Sequence, residues 1–200
     1  MPAGPRRFFF VRHGETDWNR EGRLQGGRDT ALNALGRRQA EAAGATLARL
    51  LADHRVPVCG LDFVASPLSR TRDTMELVRA GLGLPPRPFR TDDRLVELSF
   101  GRWEGLTWAD IKRADPRAAK ARRRDRWGFA PPDGESYADL MERVAPWLTG
   151  LEADAVVVAH GGVARVLLHL VAGVATGRVT GDEVHQGRVL VFEGGAARWV

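Results

Sequence analysis

The sequence holds one cysteine in 200 residues, Cys59, which excludes a disulfide framework and a cysteine-based metal centre. No apolar run approaches the ~20 residues needed to span a bilayer. The opening MPAGPRRFFFVRHG has two arginines but only a few apolar residues before a polar turn, too short for the h-region of a secretory leader. Low-complexity linkers and internal repeats are missing as well. These absences point to one cytoplasmic, non-membrane domain over residues 1–200, with Cys59 in VPVCGLDFV expected as a buried, inert thiol.

What is present is ordinary for a globular chain: 44% hydrophobic and 28% charged residues. The formal charge of +5 is concentrated in KRADPRAAKARRRDR, residues 112–126, where eight basic residues face two aspartates. The remainder of the chain is therefore nearly neutral. No aromatic side chain is interleaved in that run to stack bases; Trp127 and Phe129 only follow it. It reads first as a solvated helical face, then as attraction for an anionic substrate. Nucleic acid is not an expected partner.

Strand and helix patterns alternate. FFFV (Phe8 to Val11) is a short apolar run suited to a strand buried on both faces. NALGRRQAEAAGATLARLLADH predicts a helix whose apolar face is Leu35, Ala42, Leu47, Leu50 and Leu51. LDFVAS predicts a second strand, LSRTRDTMELVRAGLG a second helix, and RPFRTD a short strand. GESYADLMERVAPWLTGL predicts a helix capped by Ser136 and bent at Pro146. AVVVAH is the clearest central strand, followed by the helix GVARVLLHLVAG and a closing hairpin around Gly194-Gly195. The expected fold is a three-layer α/β/α sandwich with a mainly parallel sheet and an antiparallel edge strand. Residues 96–134 are expected as an insertion or lid over one edge of that sheet.

In such folds ligands bind at the carboxyl ends of the strands. The first strand ends in Arg12-His13-Gly14, the second leads to Ser66, Arg70 and Arg72, and the central one ends in His160-Gly161-Gly162. Two imidazoles, arginines and flanking glycines suit a phosphoryl group. Guanidiniums bind its oxygens, one imidazole attacks phosphorus, and the other donates a hydrogen bond. Neighbouring cations would keep the attacking imidazole neutral. A proton donor for the leaving alkoxide is offered by Glu97 or Glu104 in LVELSFGRWEG. Glu135 could cap its helix with Ser136 or reach a substrate, and Trp103, Trp108 and Trp127 could pack or wall a pocket.

RHGET.WN, SPLSRTRDT, VELSFGRWEG, PPDGESY and AHGG, in that order from Phe8 to about Leu168, resemble the histidine phosphatase superfamily, phosphoglycerate-mutase-like branch. The resemblance implies that His13 is a nucleophile forming phosphohistidine, with Arg12, Arg70 and His160 completing the phosphate pocket. It matches Glu97, in preference to Glu104, to the general acid. Asn19 would contact the phosphate or position His13, and Thr16, Gln25, Gly161 and Gly162 would line the pocket. Neither a metal nor an organic cofactor is implied.

WGFAPPDGES passes directly from its prolines to GES, where the mutases carry a longer insertion, and the chain stops soon after its last hairpin. Both departures favour a phosphomonoester hydrolase acting on a small organic phosphate over a mutase or a non-catalytic phospholigand-binding module. The blocks W.F..P.GE and QG are similar to those of α-ribazole-5′-phosphate phosphatases, making that ester one expected substrate. A monomer or homodimer is expected.

Overall fold

A computed structural model describes residues 7–200; the opening residues weighed above as a leader lie partly outside the described residues. At its centre Phe8–Arg12 (β1) pairs in parallel with Ala155–Ala159 (β4), matching Phe8 to Ala155 and Arg12 to Ala159. Asp62–Ala65 (β2) pairs in parallel with β4 and with the short Arg90–Thr91 (β3). On the other side of β1, Val189–Glu193 (β5) runs antiparallel and pairs with Ala196–Trp199 (β6). The sheet order is β3-β2-β4-β1-β5-β6. The antiparallel edge is thus a two-strand hairpin.

The apolar runs of β1 and β4 follow from burial on both faces. Phe8, Phe10, Val157 and Ala159 join one core with Leu140, Val144 and Trp147 of Tyr137–Thr149 (α6) and Val163, Val166 and Leu167 of Gly161–Ala172 (α7). Phe9, Val11, Val156 and Val158 join the other with Leu47, Leu50 and Leu51 of Ala34–Asp53 (α2) and Met75 and Val78 of Ser69–Gly81 (α3). Each such side chain contributes roughly 1.5–3 kcal/mol by leaving water. Two helix layers therefore sandwich the sheet. Gly44 and Gly81 let α2 and α3 touch by backbone: a Cβ on Gly81 would sit 2.9 Å from the Gly44 Cα.

Ser136 caps α6 in a reciprocal box with Asp139, and Pro146 lies inside that helix near its end. No described helix is long and apolar enough to cross a membrane.

Two expectations are corrected. Leu35 is 41% exposed and Ala42 is exposed, because the buried stripe of α2 runs through Gly36, Ala40, Ala43, Leu47, Leu50 and Leu51. Cys59 is exposed, since it sits in a short 3-10 turn, Val58–Gly60, before β2 starts. The 96–134 segment sends Glu97, Phe100, Trp108, Lys112 and Arg122 into a cavity that is also lined by Arg12 and His13 from the end of β1. Within it, Trp108–Ala114 (α4) stops at Asp115, whose side chain accepts from the Ala118 amide and starts Pro116–Arg124 (α5).

Candidate active site

β1, β2 and β4 bring their carboxyl ends together because they are parallel neighbours. There a cavity of about 610 Å³ is lined by Arg12, His13, Asn19, Arg70, Glu97 and Gly161 among others.

His13 is buried, and its amide donates to the Ala159 carbonyl at 3.0 Å, continuing the β1–β4 ladder. Its Nδ1 lies 2.7 Å from the Gly14 carbonyl oxygen. A carbonyl only accepts, so Nδ1 carries the proton and Nε2 keeps its lone pair. Burial, then the charges of Arg70 and Arg12, push the His13 pKa well below 6.5. A neutral imidazole with a free Nε2 results. Gly14 is fixed in turn by its amide donating to Thr74 Oγ1 at 3.1 Å.

His160 follows β4 at the start of α7, with its ring centroid 5.2 Å from that of His13. Its Nε2 is 2.8 Å from Ser66 Oγ, while its buried Nδ1 finds no partner among the described residues. Burial first, then Arg70, His13 and Arg12, lower its pKa well below 6.5.

Arg70 is fully buried on the first turn of α3, donating to the carbonyls of Arg28 at 2.6 Å and Gly26 at 2.9 Å. Arg12 donates to the Val184 carbonyl at 2.7 Å. Neither guanidinium forms an ion pair among the described residues, and each keeps a buried Nε without a partner. Burial lowers both pKa values and the Glu97 charge opposes it. Two desolvated, unpaired guanidiniums beside two neutral imidazoles are a site built for an anion.

Glu97 accepts from the Gly162 amide and from the Leu98 amide, both at 2.9 Å. Glu104 instead ties loops together: it accepts from the Gly27 amide at 3.0 Å and pairs with Arg28 at 3.2 Å, away from the cavity lining. Asn19 Oδ1 is engaged by the Thr16 amide and Gln186, leaving its Nδ2 without a partner among the described residues. Gln25, Gly161 and Gly162 line the cavity.

Thr16 does not line it. It is fully buried and caps Asp17–Arg20 (α1) in a reciprocal box with Asn19. Glu135 neither caps α6 nor lines the cavity; it pairs with Arg143 at 2.8 Å and accepts from the Ser99 amide at 3.0 Å. Trp108 lines the cavity, whereas Trp103 and Trp127 pack against Phe129 and Tyr137. Arg72, on α3, is outside the lining.

Sequence reasoning gave no role to Gln186, whose Nε2 donates to the His13 carbonyl at 3.1 Å, or to Thr74 and Arg143. Arg143 donates to the Arg94 and Val96 carbonyls at 2.9 Å each, gripping the segment that leads into Glu97. None carried a local signal except a glutamine before glycine at Gln186. Among the described residues no group of three or more His, Cys, Asp or Glu converges as a metal site would.

The family model of the histidine phosphatase superfamily (branch 1) matches residues 8–200, and the chain belongs to that superfamily. It is 36% identical over 181 residues to the glucosyl-3-phosphoglycerate phosphatase of Mycolicibacterium vanbaalenii, covering 84% of this chain and 75% of that protein. It is 35% identical over 178 residues, 86% of this chain, to a bifunctional protein of Mycobacterium tuberculosis, of which it spans 46%. A solved Escherichia coli structure, a candidate alpha-ribazole-5′-P phosphatase, superposes with a TM-score of 0.78 at 28% identity, covering 98% and 94% of the two chains.

Proposed function

We propose that the chain is a phosphomonoesterase working through phosphohistidine at His13. The observation that carries this reading is the 2.7 Å contact from His13 Nδ1 to the Gly14 carbonyl, which leaves Nε2 as the free nitrogen beside two unpaired guanidiniums. The names of its relatives, phosphatases of small organic phosphates, support the reaction class.

In the first step the Nε2 lone pair forms a bond to phosphorus as the bond from phosphorus to the ester oxygen breaks. Arg12 and Arg70 neutralise the phosphoryl oxygens, and the Asn19 Nδ2 group adds a neutral donor. His160 contributes an Nδ1–H donor when Ser66 Oγ donates to its Nε2. The protonated Glu97 carboxyl gives its proton to the leaving alkoxide. In the second step the Glu97 carboxylate takes a proton from water, whose oxygen attacks phosphorus. The N–P bond breaks, inorganic phosphate leaves, and His13 is restored. Charge neutralisation is assigned to protein cations, so the reaction needs no added metal.

The test is hydrolysis of a phosphomonoester panel, including α-ribazole 5′-phosphate, phosphoglycerates and sugar phosphates, in the presence of a chelator. Wild-type turnover that survives chelation and vanishes in His13→Ala is expected. Undiminished hydrolysis by His13→Ala overturns the assignment.

A further inference from the structure

Gln186 lies outside the cavity lining, yet one nitrogen of its side chain joins two members of the phosphate pocket. Its Nε2 donates to the His13 carbonyl at 3.1 Å and to Asn19 Oδ1 at 3.3 Å. A backbone carbonyl only accepts, so the nitrogen end of the Gln186 amide faces His13 and its two protons serve the two oxygens.

The backbone delivers that side chain to its place. β5 runs antiparallel to β1, with Val189 opposite Val11. Before β5 begins, Gly187 has φ +73, a left-handed conformation that a side chain would strain. The turn there lets Gln186 meet Arg12 in an isolated parallel bridge. Two residues earlier, the Val184 carbonyl accepts from Arg12 at 2.7 Å. Residues 184–187 therefore grip the end of β1 at the residues that enter the pocket.

Asn19 is held from two directions. Thr16 donates its amide at 3.1 Å and its hydroxyl at 3.2 Å to Asn19 Oδ1, and Thr16 Oγ1 accepts from the Asn19 amide at 3.2 Å. A flipped side-chain amide would set its NH2 group against the Thr16 N–H. That box lies wholly within residues 16–19, so it orients Asn19 against its own turn and not against His13. Among the described residues, the Gln186 nitrogen is what ties the Asn19 side chain to the nucleophile's own residue. With these donors on Oδ1, Nδ2 is the free end of a side chain that lines the cavity. Donors on Oδ1 also polarise the amide and strengthen Nδ2–H as a donor.

We propose that Gln186 is a positioning residue for phosphoryl transfer: its amide fixes the spacing between Asn19 Nδ2 and the His13 imidazole, so that both meet one phosphoryl group. The inference rests on the phosphatase reading and adds to it a residue that touches neither the substrate nor the reacting atoms.

The experiment is a double-mutant cycle read by kcat/KM on p-nitrophenyl phosphate, by the inhibition constant of orthovanadate, and by melting temperature. Gln186→Met keeps the length of the side chain and removes its NH2 group. It is expected to lower kcat/KM and weaken vanadate inhibition by about tenfold each, the worth of one hydrogen bond to a charged group. In the Asn19→Ala background the same change should cost no more than about twofold in either readout, because the group it places is gone. Gln186→Asn, which carries the amide on an arm one methylene shorter, is taken through the same cycle with the same expectation and replaces Gln186→Met if that variant does not fold. A merely structural role predicts a lower melting temperature and the same loss of activity in both backgrounds, and that result overturns the proposal. Unchanged kcat/KM and vanadate inhibition in Gln186→Met overturn it as well. A wild-type protein inactive on p-nitrophenyl phosphate and indifferent to vanadate overturns the phosphatase reading itself, whereas an active wild type with additive losses overturns the positioning role alone.

Discussion

The Gly162 amide donates to both oxygens of the Glu97 carboxylate, at 2.9 Å and 3.2 Å, joining the first turn of α7 to the irregular segment after β3. His160, two residues before Gly162, touches Ser66. The proposed proton donor and the phosphate pocket therefore share one anchor. Their relative position is set by the end of β4.

Glu97→Gln keeps the amide acceptor but cannot supply a proton. Hydrolysis of alkyl phosphates, whose alkoxides need protonation, should fall by about 10²–10⁴. Phosphorylation of the enzyme by p-nitrophenyl phosphate, whose phenolate leaves without a proton, should slow far less, while its steady-state rate falls because Glu97 also activates the water. Pre-steady-state phosphorylation rates on the two ester types check this, and equal losses in that step would count against Glu97 as the acid.

A Cβ placed on Gly162 would overlap Glu97 Oε1. The obstruction is the tip of a flexible side chain, so the carboxylate can swing away at little cost to the fold. Gly162→Ala should therefore lose at least about tenfold in kcat on alkyl esters, by loss of acid catalysis, with a melting temperature close to wild type.

Arg143 is the anchor of the Glu97 segment: beyond the carbonyls of Arg94 and Val96, it pairs with Glu135, which holds the Ser99 amide. Arg143→Ala leaves these two carbonyls and one carboxylate short of a donor, a loss of about 2 kcal/mol in urea unfolding. Activity on alkyl esters should fall more than on p-nitrophenyl phosphate, because the proton donor loses its placement while His13 does not.

His13 and His160 both carry pKa values pushed well below 6.5, first by burial and then by Arg70. An NMR titration of the imidazoles should find both neutral at pH 6.5. Arg70→Gln, or Arg12→Gln at the milder site, should move His13 upward. The stability consequence has a definite sign. Below pH 6.5 the unfolded chain takes up protons that these folded imidazoles refuse, so stability from the two groups is complete above 6.5 and falls as the pH drops toward their folded values. Urea midpoints measured between pH 7.5 and 5.5 should decline on the acid side.

Much of this was legible in the chain because it is local. The continuous apolar runs of Phe8–Val11 and Ala155–Ala159 record burial on both faces, and the polar residues that follow them mark the carboxyl ends. What escaped is long-range. Gln186 reaches His13 across 173 positions, and Arg143 reaches Val96 across 47, with no spacing to announce either contact. Leu35 shows the limit of periodicity, since the buried stripe of α2 starts at its neighbour Gly36 and leaves Leu35 facing solvent. The basic run was readable as charge, but which of its faces meets the cavity is decided by the break at Asp115 and by Trp108 under Arg122.

The most direct measurement is rapid quenching of the enzyme during turnover of 32P-labelled p-nitrophenyl phosphate, followed by mapping of the label. The expected result is label on His13, stable in alkali and lost in acid, approaching one per active site in Glu97→Gln, and missing from His13→Ala. Turnover with no label on His13, or label retained by His13→Ala, would contradict covalent catalysis at this residue.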